Sequence, residues 1–256
     1  MSVYDSRASD FNRRRELPPG VPDTIRAAVL KACVEGSPRL LDVGAGAGRI
    51  GIPFVSAGDH YTGCDLSFGM LRVFASQAPA RLVRADGALL PFRDKTFDAV
   101  VLVQVLSSVP GWRQLLTDAM RVLNPGGALI VGRVIAPDRG IDARMKGQLA
   151  AILALRGLYL HRDKTRDDAL AWLGSAMPGP RIVTVANWTT NRSPRTFLER
   201  HGSGARFSIL PEPVRRDALS RLSSWATDQF GSLNASFAED HRFELNVYRF
   251  VQGSTL

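Results

Sequence analysis

Cysteine is almost missing from this chain: Cys33 and Cys64 are the two in 256 residues. Two thiols build neither a disulfide framework nor a cysteine metal cluster, so the sequence predicts no metal and a reducing, cytoplasmic setting. Long hydrophobic runs are lacking as well. No apolar stretch approaches the roughly 18 residues of a membrane span, so none is expected. Residues Met1 to Asn12 are polar and mixed, unlike a secretory signal. Lysine is scarce, confined to Lys31, Lys95, Lys146 and Lys164, although the formal net charge is +9. The excess is therefore arginine, densest at Arg13-Arg14-Arg15 and otherwise scattered. A basic surface raises nucleic acid, anionic membrane and acidic substrates as partners. Scattering, rather than one stripe, argues against nucleic acid.

What is present is an ordinary globular composition, 45% apolar and 22% charged, in a chain long enough for one core or one core with a grafted lobe. Residues 1–36 read as an extended leader with Tyr4, Phe11 and three prolines, followed by a helix that Asp23 or Thr24 can cap. From Arg39 strands and helices alternate: strands at 39–43, 60–64, 81–85, 98–103 and 128–133, helices at about 47–57, 68–76 and 112–123. The run Asp98-Ala99-Val100-Val101-Leu102-Val103 is apolar without alternation, as suits a central strand buried on both faces. The cadence predicts an α/β fold with a doubly wound sheet over residues 37–136. Beyond Pro137 the rhythm breaks. Residues 137–180, with helices at 141–160 and 166–175, read as a helical lid inserted over the open edge. Residues 181–256 complete the sheet and the substrate side, with a strand at 181–188, helices at 194–201 and 213–230, and a closing strand at 242–251.

The chemistry concentrates in Leu40-Leu41-Asp42-Val43-Gly44-Ala45-Gly46-Ala47-Gly48, a strand that runs into an acid and then a glycine loop. Glycines allow sharp turns and close ligand approach. Two further acids follow at similar intervals, Asp65 and Asp86, each after a strand. In a parallel sheet that spacing brings acids to the carboxyl edge, where such sheets bind ligands. The glycines alone decide little, because Gly46-Ala47-Gly48-Arg49-Ile50-Gly51 also fits the dinucleotide pattern G-x-G-x-x-G.

Three features together resemble the class I S-adenosylmethionine-dependent methyltransferases. Asp42 sits two residues ahead of the first glycine. Asp86 lies in Arg84-Ala85-Asp86-Gly87-Ala88-Leu89-Leu90-Pro91-Phe92. Phe97-Asp98-Ala99-Val100-Val101 and Val122-Leu123-Asn124-Pro125-Gly126-Gly127 follow in order, so the likeness covers roughly residues 38–134. The tail from Trp188 to Phe250 resembles the ubiquinone-methylase-like branch in Arg192-Ser193-Pro194-Arg195 and Ser223-Ser224-Trp225-Ala226.

The resemblance implies a Rossmann-like methyltransferase sheet, S-adenosyl-L-methionine as cofactor and a small-molecule acceptor methylated at oxygen, nitrogen or carbon. It implies that Gly44, Ala45, Gly46 and Gly48 bring backbone against the methionine and ribose. Asp42 would accept from the ammonium, Asp65 from both ribose hydroxyls and Asp86 from the adenine amino group, with Leu66, Met70, Gly87 and Ala88 around the ring. Gln104 closes the fourth strand. There this chain has Gln104 and Ser107 where many members have histidines, which puts a histidine base in doubt. His161 is the histidine to watch. Neither cysteine is well placed as a nucleophile. On the substrate side the expectation is Tyr4 and Phe11 of the leader, Arg133 at the end of the fifth strand facing an acidic acceptor or a neighbouring carboxylate, and Met145 on the lid. The protein is expected to be a monomer or a homodimer. Three rivals stay open at this stage: a nicotinamide-dependent oxidoreductase, an RNA methyltransferase using the basic surface, and a non-catalytic binder of adenosylmethionine. Asp86 and the Asn-Pro-Gly-Gly turn speak against the first.

Overall fold

The computed structural model describes residues 17–33, 36–158, 165–202 and 210–249. Tyr4, Phe11 and His161 lie outside them. The chain divides into two compact units: the first falls within Met1–Val134, Asp163–Ala186 and Phe243–Leu256, the second within Ile135–Arg162 and Asn187–Arg242.

The first unit carries strands β1 (Leu40–Val43), β2 (Tyr61–Asp65), β3 (Arg81–Arg84), β4 (Phe97–Val103) and most of β5 (Leu123–Ile135). With β6 (Arg181–Arg192) and β7 (Phe237–Arg249) the sheet order is β3-β2-β1-β4-β5-β7-β6. Strands β1 to β5 pair in parallel, with Leu41 level with Thr62 on one side and Val100 on the other. The chain moves outward from β1 to β3 and then returns to lay β4 beside β1. The order therefore reverses between β1 and β4, and the carboxyl ends of these two strands open the crevice where such sheets take ligands. The expected α/β doubly wound architecture is what the chain adopts.

Local sequence explains most element boundaries. Helix α1 (Val21–Ala32) buries Val21, Ile25, Val29 and Ala32, one side of a 3.6-residue period. It begins ahead of the expected Asp23 or Thr24 cap, because Pro22 is tolerated in a first turn and Gly20 enters at φ 81°. The helix after the glycine loop, α2 (Gly51–Ser56), starts four residues later than expected. Gly48 has φ +88°, which no right-handed helix accommodates, so the turns must finish first. Helix α3 (Phe68–Gln77) is capped by Ser67, whose hydroxyl accepts from the Met70 N–H. Helix α4 (Trp112–Arg121) buries Trp112, Leu115, Leu116, Ala119 and Met120. At its end Arg121 donates to the carbonyls of Leu90 and Phe92 and to Asp118 and Asp94. Burial works against the Asp118 charge, but Arg121 and the Leu90 N–H outweigh it and hold that carboxyl below its ordinary range. This bracket fixes the Leu-Pro-Phe loop. Asn124-Pro125-Gly126-Gly127 forms a bulge within β5: Leu123 pairs with Phe97 and Ala128 with Ala99, so four residues loop out where the partner strand has one.

The segment 137–180 was expected to be one lid, and it is divided between the units. Helix α5 (Ile141–Ala154) belongs to the second unit and α6 (Thr165–Ala176) to the first. Ala169 and Leu173 of α6 are buried in the core that holds Trp112 and Leu116, and Trp172 meets Trp112 edge-on at 5.9 Å. The second unit packs α5 with α7 (Pro194–Gly202) and α8 (Glu212–Phe230) around Met145, Leu149, Phe197 and Leu222. Its buried Glu239 accepts from the Ile141 N–H and so caps α5, while Trp188 stacks on His241. Among the described residues no helix is long and apolar enough to cross a membrane.

Candidate active site

A cavity of about 430 Å³ lies at the carboxyl ends of β1, β2 and β4 in the first unit. That is the size range of small-molecule and cofactor sites. Asp42, Asp65 and Asp86 all line it, as do Gly44, Ala45 and Gly46 of the loop, Leu66, Met70, Gly87, Ala88 and Gln104. Gly48 does not line it and acts one step back.

Two glycines are required twice over. At Gly44, φ is +82° and an added Cβ would fall 2.2 Å from Val105 Cγ2. At Gly48 the added Cβ would fall 2.5 Å from the ring of Phe74, which is fully buried. The loop thus passes close to the end of β4 and over α3 because it has no side chains there.

Asp65 braces this loop. One carboxylate oxygen accepts from the Gly46 N–H at 2.9 Å and the other from the Ser67 N–H at 2.8 Å. Each oxygen has a second lone pair, so the same carboxylate can still receive a diol. Asp86 is exposed at the rim and accepts from the Ala88 N–H, turning the backbone back toward the cavity. Leu66 is 55% exposed and Met70 buried, so one offers an open apolar edge and the other a floor. Gly87 has a packing reason of its own: a Cβ there would press Val43 and Leu115.

Asp42 is buried, and the Tyr61 hydroxyl donates to its carboxylate at 2.7 Å. Burial pushes its carboxyl up to about 6, against the Tyr61 hydrogen bond, with Asp65 adding repulsion and Arg49 opposing it. Burial, together with Asp42, pushes the Tyr61 phenol well above its usual value. The site therefore holds a carboxylate whose charge is costly until a cation arrives.

Gln104 follows β4 directly and sits in the left-handed region at φ 56°, a strained conformation for a residue with a Cβ. Its N–H donates to the Gly132 carbonyl and its Oε1 accepts from Arg49 Nη2 at 2.8 Å. Arg49, Val105, Val109 and Leu115 also line the cavity and escaped the sequence reading, as did Tyr61 beneath it. Arg49 lies inside the glycine motif, and Val105 and Val109 lie in the stretch just after the fourth strand; no pattern marks Leu115 or Tyr61. Cys64 was judged badly placed, yet it lines the cavity. Burial, with Asp65 and Asp42 beside it, pushes its thiol up to about 12, so it is held as a thiol and is a poor nucleophile.

The remaining expectations separate. Arg133 is paired with Glu244 at 3.9 Å, the neighbouring-carboxylate alternative, and lines a second, smaller cavity. Met145 is fully buried in the second unit's core, in one cluster with Leu149, Phe197 and Leu222.

A methyltransferase-domain family model matches residues 41–131, the segment that holds all three acids. The demethylmenaquinone methyltransferase of Clavibacter sepedonicus is 31% identical over 165 residues, 60% of this chain and 67% of that one. The demethylmenaquinone methyltransferase of Streptomyces avermitilis is 32% identical over 133 residues, 51% of this chain and 58% of that one. The match thus spans little more than half of the Streptomyces relative's length. A putative type II methyltransferase from Anaeromyxobacter dehalogenans has the same fold, with a TM-score of 0.64 at 12% identity over 89% of this chain and 95% of that one. The protein belongs to the class I S-adenosylmethionine-dependent methyltransferase family.

Proposed function

We propose that this protein transfers a methyl group from S-adenosyl-L-methionine to a small-molecule acceptor. The observation that carries the reading is the convergence of Asp42, Asp65 and Asp86 on one cavity beside a loop whose glycines let the backbone pass close. Buried Asp42 suits the ammonium of the amino-acid part. Asp65 suits the ribose diol, and Asp86 an adenine amino group at the rim, with Leu66, Met70 and Ala88 against the ring. A dinucleotide has no amino-acid ammonium to set against the buried Asp42.

A sulfonium methyl arrives already activated. In the transfer the carbon–sulfur bond breaks with its electron pair staying on sulfur, a bond forms to the acceptor atom, and the acceptor's proton leaves to water or to a base. The chain's own contribution is alignment and exclusion of water. Val103, Val105, Val109 and Leu115 make the wall nearest the end of β4 apolar. Gln104 fixes that end through Arg49 and Gly132. The relatives are demethylmenaquinone methyltransferases by name, and a small acceptor with an apolar body is the class we infer here. A cytoplasmic protein, monomeric or homodimeric and without a nucleic-acid partner, fits this reading.

The test is incubation with methyl-tritiated S-adenosylmethionine and a panel holding demethylmenaquinone and simple phenols and aromatic carboxylates. The reading expects label in an extracted small molecule, lost in the Asp65→Ala variant. Donor binding with no label in any acceptor would favour the non-catalytic binder.

A further inference from the structure

A second cavity of about 180 Å³ adjoins the first, and Gln104 and Val105 line both. Its floor is apolar, made by Leu102, Leu106, Val131 and Val134. Its charged lining is cationic: Arg133 of β5 and Arg166 in the first turn of α6 line it beside the neutral Gln104 and Ser107, and no acid among the described residues does. Glu244 and Asp167, which pair with these arginines, are not on the lining. An engineered cavity of about 150 Å³ holds one benzene ring, so this volume accepts a single ring or a short branched chain. Two guanidiniums on an apolar bowl are a recognition element for a planar anion borne by an apolar body, since the guanidinium fork matches a carboxylate in two parallel hydrogen bonds.

Resting on the methyltransferase reading above, we propose that the acceptor carries a carboxylate, held by Arg133 and Arg166, with its apolar body in this bowl. Gln104 and Val105 then form the partition that sets the distance from acceptor to methyl donor. Gln104's left-handed backbone has a purpose in this arrangement: it turns the end of β4 so that one residue faces both cavities. The carboxylate fixes orientation, while the atom that takes the methyl group lies elsewhere on the acceptor. This differs from a purely apolar acceptor, which would offer the two guanidiniums no hydrogen-bond acceptor.

The experiment uses the full chain saturated with S-adenosylhomocysteine and two probes of one shape, salicylate and its neutral amide, salicylamide, titrated by calorimetry. Salicylate is expected to bind at least tenfold tighter than salicylamide. The variants Arg166→Gln and Arg133→Lys are each expected to cut that ratio at least threefold. Arg133→Lys keeps a cation opposite Glu244, so the fold has no buried unpaired acid, and it removes only the fork. Melting each variant with S-adenosylhomocysteine verifies that the site is intact. Equal binding of the two probes, binding of neither, or a preference untouched by both variants overturns the proposal and leaves the donor reading standing. Failure of S-adenosylhomocysteine itself to bind removes the donor reading and this proposal with it.

Discussion

The Tyr61 hydroxyl donates to the Asp42 carboxylate at 2.7 Å, and both side chains are buried. The pair joins β1 to β2 at the floor of the cavity and holds Asp42 in place while burial raises its proton affinity to about 6. An acid whose folded value is raised contributes full stability below its unfolded value and loses it as pH rises through the folded one. For Asp42 the window is about pH 4 to 6. Asp42→Asn keeps an acceptor for Tyr61 and removes the titration. The stability of the variant relative to the unsubstituted protein should therefore grow as pH rises from 4 to 7, on the order of 2–3 kcal/mol at about 1.4 kcal/mol per pH unit. Melting curves at four pH values read this directly. A difference that stays flat would mean Asp42 is ionised at its ordinary value.

The same residue makes donor binding pH-dependent. An ammonium placed against Asp42 favours the ionised form, so S-adenosylhomocysteine should bind more weakly below pH 6, with affinity falling up to tenfold per pH unit. Calorimetry in two buffers of different ionisation enthalpy would register the proton released on binding at pH 5.5. Asp42→Asn should abolish that release and flatten the profile. Equal heats in the two buffers would place Asp42 outside the linkage.

Asp65 has two tasks, so its variants should split. Asp65→Ala removes both the ribose acceptor and the brace on the Gly46 and Ser67 N–H groups. Binding of S-adenosylhomocysteine should weaken at least tenfold while the fold persists. Asp65→Asn retains one acceptor oxygen and should fall between. A calorimetric affinity unchanged in Asp65→Ala would remove this residue from the site.

The glycine loop can be ranked by substitution. Gly48→Ala drives a methyl into the buried Phe74 ring and should cost on the order of 2–4 kcal/mol, combining overpacking with a left-handed backbone. At Gly46 an added Cβ would have only the Gly44 carbonyl oxygen near, at 3.9 Å, so Gly46→Ala should cost about 1 kcal/mol from its backbone alone. Urea unfolding of the two variants tests the order, and a reversed order would mean the loop relaxes away from Phe74.

Much of the cofactor half was legible because its signals are local. An unalternating apolar run marks β4, and acids after strands at similar spacing mark the sheet edge whatever the rest does. The start of α2 was misplaced because a helical pattern from Ala47 looks sound until Gly48 takes a positive φ. The division of 137–180 was hidden for a different reason. The apolar residues of α5 and α6 are alike in composition, and only tertiary packing sends Leu173 to Trp112 and Met145 to Phe197. Tyr61 escaped since it reaches Asp42 from a neighbouring strand, where no motif spacing records it. Arg49 was in plain view, but its partner Gln104 lies 55 positions on.

One comparison of ligands decides whether this cavity is built for the methyl donor. Calorimetric titration and thermal melting would be run on the protein with S-adenosylmethionine, S-adenosylhomocysteine and NAD. A ligand at 100 times its dissociation constant stabilises the fold by about 2.7 kcal/mol, a shift easily seen. Binding and stabilisation by the two sulfur ligands are expected, with none by NAD. Stabilisation by NAD alone would contradict this, and the three acids would then serve a dinucleotide.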